Sequence, residues 1–161
     1  MANVCMEIET TRDIARQILR HRSFSFQEFS QRYAAVQGFE LSEVRLQDTK
    51  NRQNSIEVGD SDMHHWWFQA QKRVRDDAEL MYNMALAKGV AKEQARKLLP
   101  EGMTMSKMYM NGTLRSWLHY VDIRCDKATQ KEHREVAEKC RDELTKLFPN
   151  TMEAFNANRT D

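Results

Sequence analysis

Met63, Trp67, Ala70, Val74, Ala78, Met81 and Ala85 recur in steps of three or four with charged residues between them. That period lays them along one side of an α-helix and predicts a long helix that Gly89 ends. Ile14, Ala15, Ile18 and Leu19 repeat the spacing, which predicts an amphipathic helix over residues 12–22. Before it, residues 4–11 alternate in part and close on two threonines, the pattern of a short strand handing over to a helix capped near Thr11. Residues 91–99 read as a short helix stopped by Pro100. Leu114, Trp117, Leu118 and Val121 make another stripe, and His133, Val136, Cys140, Leu144 and Leu147 a last one. Residues 22–33 read as a turn followed by a second short helix. Residues 39–62 carry no helical stripe and allow one strand near residues 39–46. The chain thus reads as mostly helical with a small sheet, in one domain of 161 residues.

Charge narrows the function classes. Lys+Arg 25 against Asp+Glu 24 gives a net +1, so no global field draws the chain to nucleic acid or an anionic membrane. Anion binding must be local. Cys5, Cys125 and Cys140 are odd in number and far apart, without a zinc or disulfide spacing, which predicts a reducing, cytoplasmic setting. No run of apolar residues is long enough for a membrane span, and no signal pattern opens the chain.

Basic residues crowd one region. Arg12, Arg16 and Arg20 fall at successive i,i+4 positions, where like charges repel unless an anion or a carboxylate relieves them. His21, Arg22, Glu28 and Arg32 follow closely, and the arginine fork grips phosphate or carboxylate with two N–H groups. The cluster reads as a nucleotide-phosphate site, with Gln17 offering both a donor and an acceptor to a base or sugar edge. An ordinary solvated charge face accounts equally well for Arg12 and Arg16. Arg115, His119 and Asp122 share a polar face with Arg124 at its end, a pattern that solvation alone also produces. Arg96, late in its short helix, suits either a ligand or the helix dipole. His64 and His65 are adjacent and cannot form an i,i+4 metal pair, so no metal is expected. His133 sits on an apolar stripe, as a core histidine would. Ser30, two residues from Glu28, lacks an inferable base and suits binding better than nucleophilic attack.

The run RHRSFSFQEFS resembles the signature of the flavin-dependent thymidylate synthases: Arg-His-Arg, seven residues, then Ser, here Arg20, His21, Arg22 and Ser30. The continuation QRY and the later runs KNRQNS, ARKLLP, GTLRSWLHYVDIR and TQKEHREVA fit the family in order, over residues 4–155. The resemblance implies an α+β fold, mostly helical with a small antiparallel sheet. It implies methylation of dUMP to dTMP, with FAD as cofactor, methylenetetrahydrofolate as carbon donor and NADPH as reductant. It implies a homotetramer whose active sites combine residues of several subunits. Carried over by motif position, Gln17, Ile18, Leu19, Arg20, Glu28, Phe29, Ser30, Gln31, Arg32, Arg96 and Arg124 contact dUMP. Arg20, His21, Arg22, Glu28, Thr113, Leu114, Arg115 and His119 contact FAD. Arg124 is the catalytic residue, its fixed charge favouring the ionised pyrimidine.

Two departures qualify these implications. Thr113 stands where the family usually has Asn, one fewer amide for FAD. Family members also carry several tens of residues, some of them flavin contacts, before the strand near Val4. That implies an incomplete site here, as in a fragment, a shifted start or one piece of a split protein. A catalytically silent member that binds nucleotide or completes a partner chain therefore stays open. A helical nucleic-acid module using the arginine face is opposed by the balanced charge.

Overall fold

Alternating side chains build the sheet. In the computed structural model, which describes residues 2–30, 38–52 and 54–157, the elements run β1 (Asn3–Thr11), α1 (Arg12–Ile18), β2 (Ser25–Glu28), β3 (Arg45–Gln47), β4 (Ser55–Glu57), α2 (Ser61–Ala87) and α3 (Lys92–Ala95). A 3-10 turn (Arg96–Leu98), β5 (Met105–Thr113), α4 (Leu114–Arg124), α5 (Lys131–Leu147) and α6 (Pro149–Ala157) follow. The main sheet has the order β1-β5-β2, antiparallel throughout, and β3 pairs with β4 as a separate hairpin.

The register sorts the two faces of the sheet. Val4 lies opposite Gly112, Met6 opposite Met110 and Ile8 opposite Met108, all turned toward the helices. Glu7 lies opposite Tyr109 and Glu9 opposite Lys107 on the other face. There Lys107 Nζ reaches Glu7 at 3.0 Å and Glu9 at 2.7 Å, and the Tyr109 hydroxyl donates to Glu7 at 2.7 Å. A one-residue slip would bury these charges and expose the methionines, so the register is strongly specified.

The core lies between the sheet and the layer of α1, α4, α5 and α6. Ile14, Ile18, Met108, Met110, Trp117, Tyr120, Leu144 and Met152 are fully buried within it. The Trp117 indole N–H donates to the Val4 carbonyl at 3.0 Å, so the largest side chain is buried without an unpaired polar atom. A Cβ at Gly112 would stand 2.5 Å from the Phe24 ring, which packs on Trp117 at 4.9 Å between centroids. Glycine is needed there for the close approach, not for its dihedral freedom.

The structure corrects several expectations. α1 stops at Ile18 rather than running to residue 22. The short helix expected after Arg22 is instead β2, because Phe24, Phe26 and Glu28 alternate inward and Ser25–Glu28 pair with β5; the last residues of that expectation, 31–33, lie outside the described residues. The strand expected near residues 39–46 reduces to β3, with an isolated bridge from Phe39 to Thr104. β5, the central strand, and α6 have no counterpart in the expectations. The helix α2 forms as expected, but its seat is shifted. Val74 and Met81 are half exposed, while Gln71 and Tyr82 are buried. The reason is a polar clamp. Gln71 Oε1 accepts from the Ser42 backbone N–H at 2.9 Å, and its amide donates to the Ser42 carbonyl at 2.8 Å, which also takes the Trp67 indole N–H at 2.9 Å.

Candidate functional site

The turn after α1 decides where the Arg-His-Arg run points. The His21 backbone N–H bonds the Ile18 carbonyl at 3.0 Å and the Arg20 N–H bonds the Gln17 carbonyl at 3.3 Å, closing the helix as a tight turn. Arg20 and Arg22 stay exposed while His21 folds inward. Its ring stands edge-on to Tyr120 at 4.9 Å and near Phe24 at 6.5 Å.

Arg124 ends α4 and donates from Nε to His21 Nε2 at 2.9 Å. The acceptor role at Nε2 puts the imidazole proton on Nδ1. Burial, then the charges of Arg124 and His119, push the His21 pKa down to about 4, so the ring is neutral at physiological pH. A neutral histidine fixes the guanidinium without competing with it for an anion. Behind this pair, His133 is fully buried, with Nε2 3.2 Å from the Tyr120 hydroxyl and Nδ1 3.4 Å from Gln17 Oε1. Burial and the nearby charges of Arg124 and His21 bring its pKa down to about 4 as well.

A second cluster forms around Glu28. Its carboxylate accepts the Ser106 hydroxyl at 2.8 Å and faces Arg12 at 3.4 Å. A cavity of about 290 Å³ beside it is lined by Arg12, Arg16, Arg96 and Lys97, and Arg16 is tied to Glu101 at 2.6 Å. Arg12 and Arg16 are thus carboxylate-paired, whereas Arg20, Arg22, Arg96 and Arg115 form no ion pair among the described residues. A larger cavity of about 610 Å³ is lined by Glu9, Asp13, Glu40, Glu43, Glu132 and Glu135 among others, a wall that repels phosphate.

The remaining expected contacts are placed as follows. The Ile18 side chain is fully buried, which leaves only its main chain to face a ligand, and Leu19 packs against the core. Phe29 is half exposed with its ring 6.0 Å from Tyr109, and Ser30 follows it. Gln31 and Arg32 lie outside the described residues. Thr113 caps α4, its hydroxyl accepting from the Ser116 N–H at 3.2 Å, and Leu114 packs against the core. Arg115 and His119 are exposed on α4. Sequence reasoning missed Tyr120, Ser106 and Lys97. No local motif marks them, although Tyr120 stands one helical turn before Arg124.

FAD fits this chemistry in part. Among the described residues, Arg20, Arg22 and Arg115 are exposed guanidinium groups without a carboxylate partner, and such groups suit an anionic dinucleotide. The Thr113 hydroxyl is already engaged in capping its helix.

Residues 1–150 match the family described as thymidylate synthase complementing protein. The chain is 52% identical over 155 residues to a flavin-dependent thymidylate synthase of a Synechocystis species, covering 96% of this chain and 72% of that protein. The chain belongs to the flavin-dependent thymidylate synthase family. A second family member, the probable flavin-dependent thymidylate synthase of Paramecium bursaria Chlorella virus 1, is 44% identical over 156 residues, 96% of this chain and 72% of its own length. Among solved structures, the UMP/dUMP methylase PolB of Streptomyces cacaoi, bound with 5-Br UMP, superposes with a TM-score of 0.85 at 28% identity, covering 96% of this chain and 74% of that one. The fold is therefore that of the family, α+β with mostly helical content and a small antiparallel sheet.

Proposed function

We propose that this chain methylates C5 of dUMP to form dTMP, with FAD as cofactor, methylenetetrahydrofolate as carbon donor and NADPH as reductant. The observation that carries this reading is the Arg124–His21 pair at 2.9 Å, which joins the Arg-His-Arg run to the end of α4. A guanidinium held by a neutral imidazole is placed to stabilise negative charge developing on a pyrimidine ring. When bound, FAD supplies the hydride and serves the one-carbon transfer. Arg20, His21, Arg22, Glu28, Thr113, Leu114, Arg115 and His119 would hold it.

Substrate contacts are proposed for Gln17, Ile18, Leu19, Arg20, Glu28, Phe29, Ser30, Arg96 and Arg124, with Gln31 and Arg32 completing the set. Arg96 sits in a basic cavity that suits the phosphate of dUMP. These groups form two clusters within one chain, which favours sites completed by another copy. Helix α2 supplies the means. Trp66, Val74, Leu80, Met81 and Met84 are each at least 44% exposed and fall within one arc of about 120°. We assign that face to assembly of the homotetramer. No helix among the described residues is long and apolar enough to cross a membrane, and the three free cysteines suit the cytoplasm.

The test begins with FAD added to the purified chain, removal of unbound cofactor and a visible absorption spectrum. A retained flavin band, followed by dTMP formation and NADPH oxidation that require both dUMP and methylenetetrahydrofolate, is the expected result. A chain that binds dUMP but never FAD would overturn the proposal of an autonomous enzyme.

A further inference from the structure

A directional chain of hydrogen bonds runs from the buried Tyr120 and His133 out to the surface at Gln130 and Glu132, beside the proposed dUMP site. Glu132 is a carboxylate paired with Arg45, and it can only accept. It takes an N–H from the Gln130 amide at 3.0 Å, which leaves Gln130 Oε1 to accept from Gln17 Nε2 at 2.7 Å. Gln17 Oε1 then faces His133 Nδ1 at 3.4 Å, and His133 Nε2 faces the Tyr120 hydroxyl at 3.2 Å. One consistent assignment of protons follows. Tyr120 donates to Nε2, Nδ1 carries the imidazole proton and donates to Gln17 Oε1, and each amide passes the same sense on to Glu132. The other tautomer would set the Nδ1 lone pair against the Gln17 carbonyl oxygen.

We infer that His133 is a positioning residue that locks the Gln17 carboxamide, so that Gln17 offers an N–H and not a carbonyl to the pyrimidine. Gln17 Oε1 is held by His133, and one of the two amide hydrogens by Gln130. Among the described residues the second hydrogen has no acceptor, which leaves it for a ligand. A fixed donor favours an acceptor edge, either a uracil carbonyl or the ionised ring, and disfavours the exocyclic amine of cytosine. His133 and Tyr120 are both fully buried, so neither reaches substrate itself. The inference rests on the proposed dUMP site for its functional consequence, but the tautomer and the amide orientation are properties of the protein alone.

Two measurements separate these parts. In nitrogen NMR of the FAD-loaded chain, His133 should show a protonated Nδ1 and an unprotonated Nε2; the opposite pattern overturns the inference whatever the substrate. In steady-state kinetics, His133→Leu should raise the dUMP KM about tenfold with kcat nearly unchanged, and narrow the preference for dUMP over dCMP. His133→Asn, which keeps an N–H near the Nδ1 position, should recover most of the loss. Gln17→Ala should equal the double variant, because His133 acts through Gln17. Losses that multiply in the double variant overturn the inference. If His133→Leu fails to fold, Glu132→Gln removes the carboxylate that sets the direction and should raise KM in the same way. A wild-type chain that binds no dUMP refutes the proposed function, while the His133 tautomer still decides this inference.

Discussion

Acid should destabilise this protein well before its carboxylates protonate. His21 and His133 have pKa values lowered from 6.5 to about 4, in both cases by burial first. A lowered histidine pKa means that the unfolded chain binds more protons than the folded one between those values. Stability is therefore fully present above the unfolded value and is lost as pH falls toward the folded one. From about pH 7.5 to about pH 5, linkage gives a loss of about 2 kcal/mol for the fully buried His133 and less for the partly exposed His21, about 3 kcal/mol in all. That is a large share of the roughly 5–15 kcal/mol of a typical domain. Glu43, held below its ordinary 4.5 by the hydrogen bond from Lys131, contributes only at lower pH. Urea unfolding followed by near-ultraviolet circular dichroism at several pH values across this window measures the slope. His133→Asn should reduce that slope by more than half, whatever its effect on stability at neutral pH. A stability independent of pH across the window, or an unchanged slope in the variant, would refute the reasoning.

Arg124→Ala should lower turnover by about 10²–10³-fold while shifting unfolding by no more than about 1 kcal/mol, since among the described residues its side chain hydrogen-bonds only His21. A wild-type rate, measured as dTMP formed, would remove Arg124 from the catalytic role. Arg96→Ala should weaken dUMP binding by about 10–100-fold in calorimetric titration and leave flavin absorbance unchanged; equal affinity would place the phosphate elsewhere. Gly112→Ala puts a methyl 2.5 Å from the Phe24 ring and should cost about 1–3 kcal/mol, with a changed near-ultraviolet signal from Trp117. An unchanged thermal midpoint would show that Phe24 has room to move.

Helices were legible where their apolar spacing repeated over several turns, as in α2, α4 and α5. β5 was hidden by its own composition. Met105, Met108 and Met110 belong to a residue type that favours helices, and they mask the inward alternation of Ser106, Met108, Met110 and Gly112. The shifted seat of α2 was illegible for another reason. Its burial is set by hydrogen bonds from Gln71 and Trp67 to Ser42, and hydropathy assigns no weight to such partners. That the Arg-His-Arg run is basic was readable from residue types alone, but not that His21 turns inward between two exposed arginines. The relay from Tyr120 to Glu132 was not readable either, because Gln17 and Gln130 lie 113 residues apart and meet only through the packing of α1 against α5.

The same early end of α1 explains why the motif serves two clusters instead of one. Had the helix continued, its rise of about 1.5 Å per residue would have kept Arg-His-Arg and Ser30 within two or three turns of each other. The turn at residues 19–24 instead reverses the chain into β2, which pairs Ser25 with Asn111 and Glu28 with Met108. Along a strand each residue advances about 3.3 Å, so the four residues of β2 carry Glu28 toward Ser106 and Arg12, away from His21 and the end of α4. The two halves of the motif thus lie at different places on one chain, Glu28 beside Ser106 and Arg12, and His21 beside Arg124. Under the proposed function, a small nucleotide held by both halves would draw one of them from a second copy, so the split is the physical ground for the assembly proposed above.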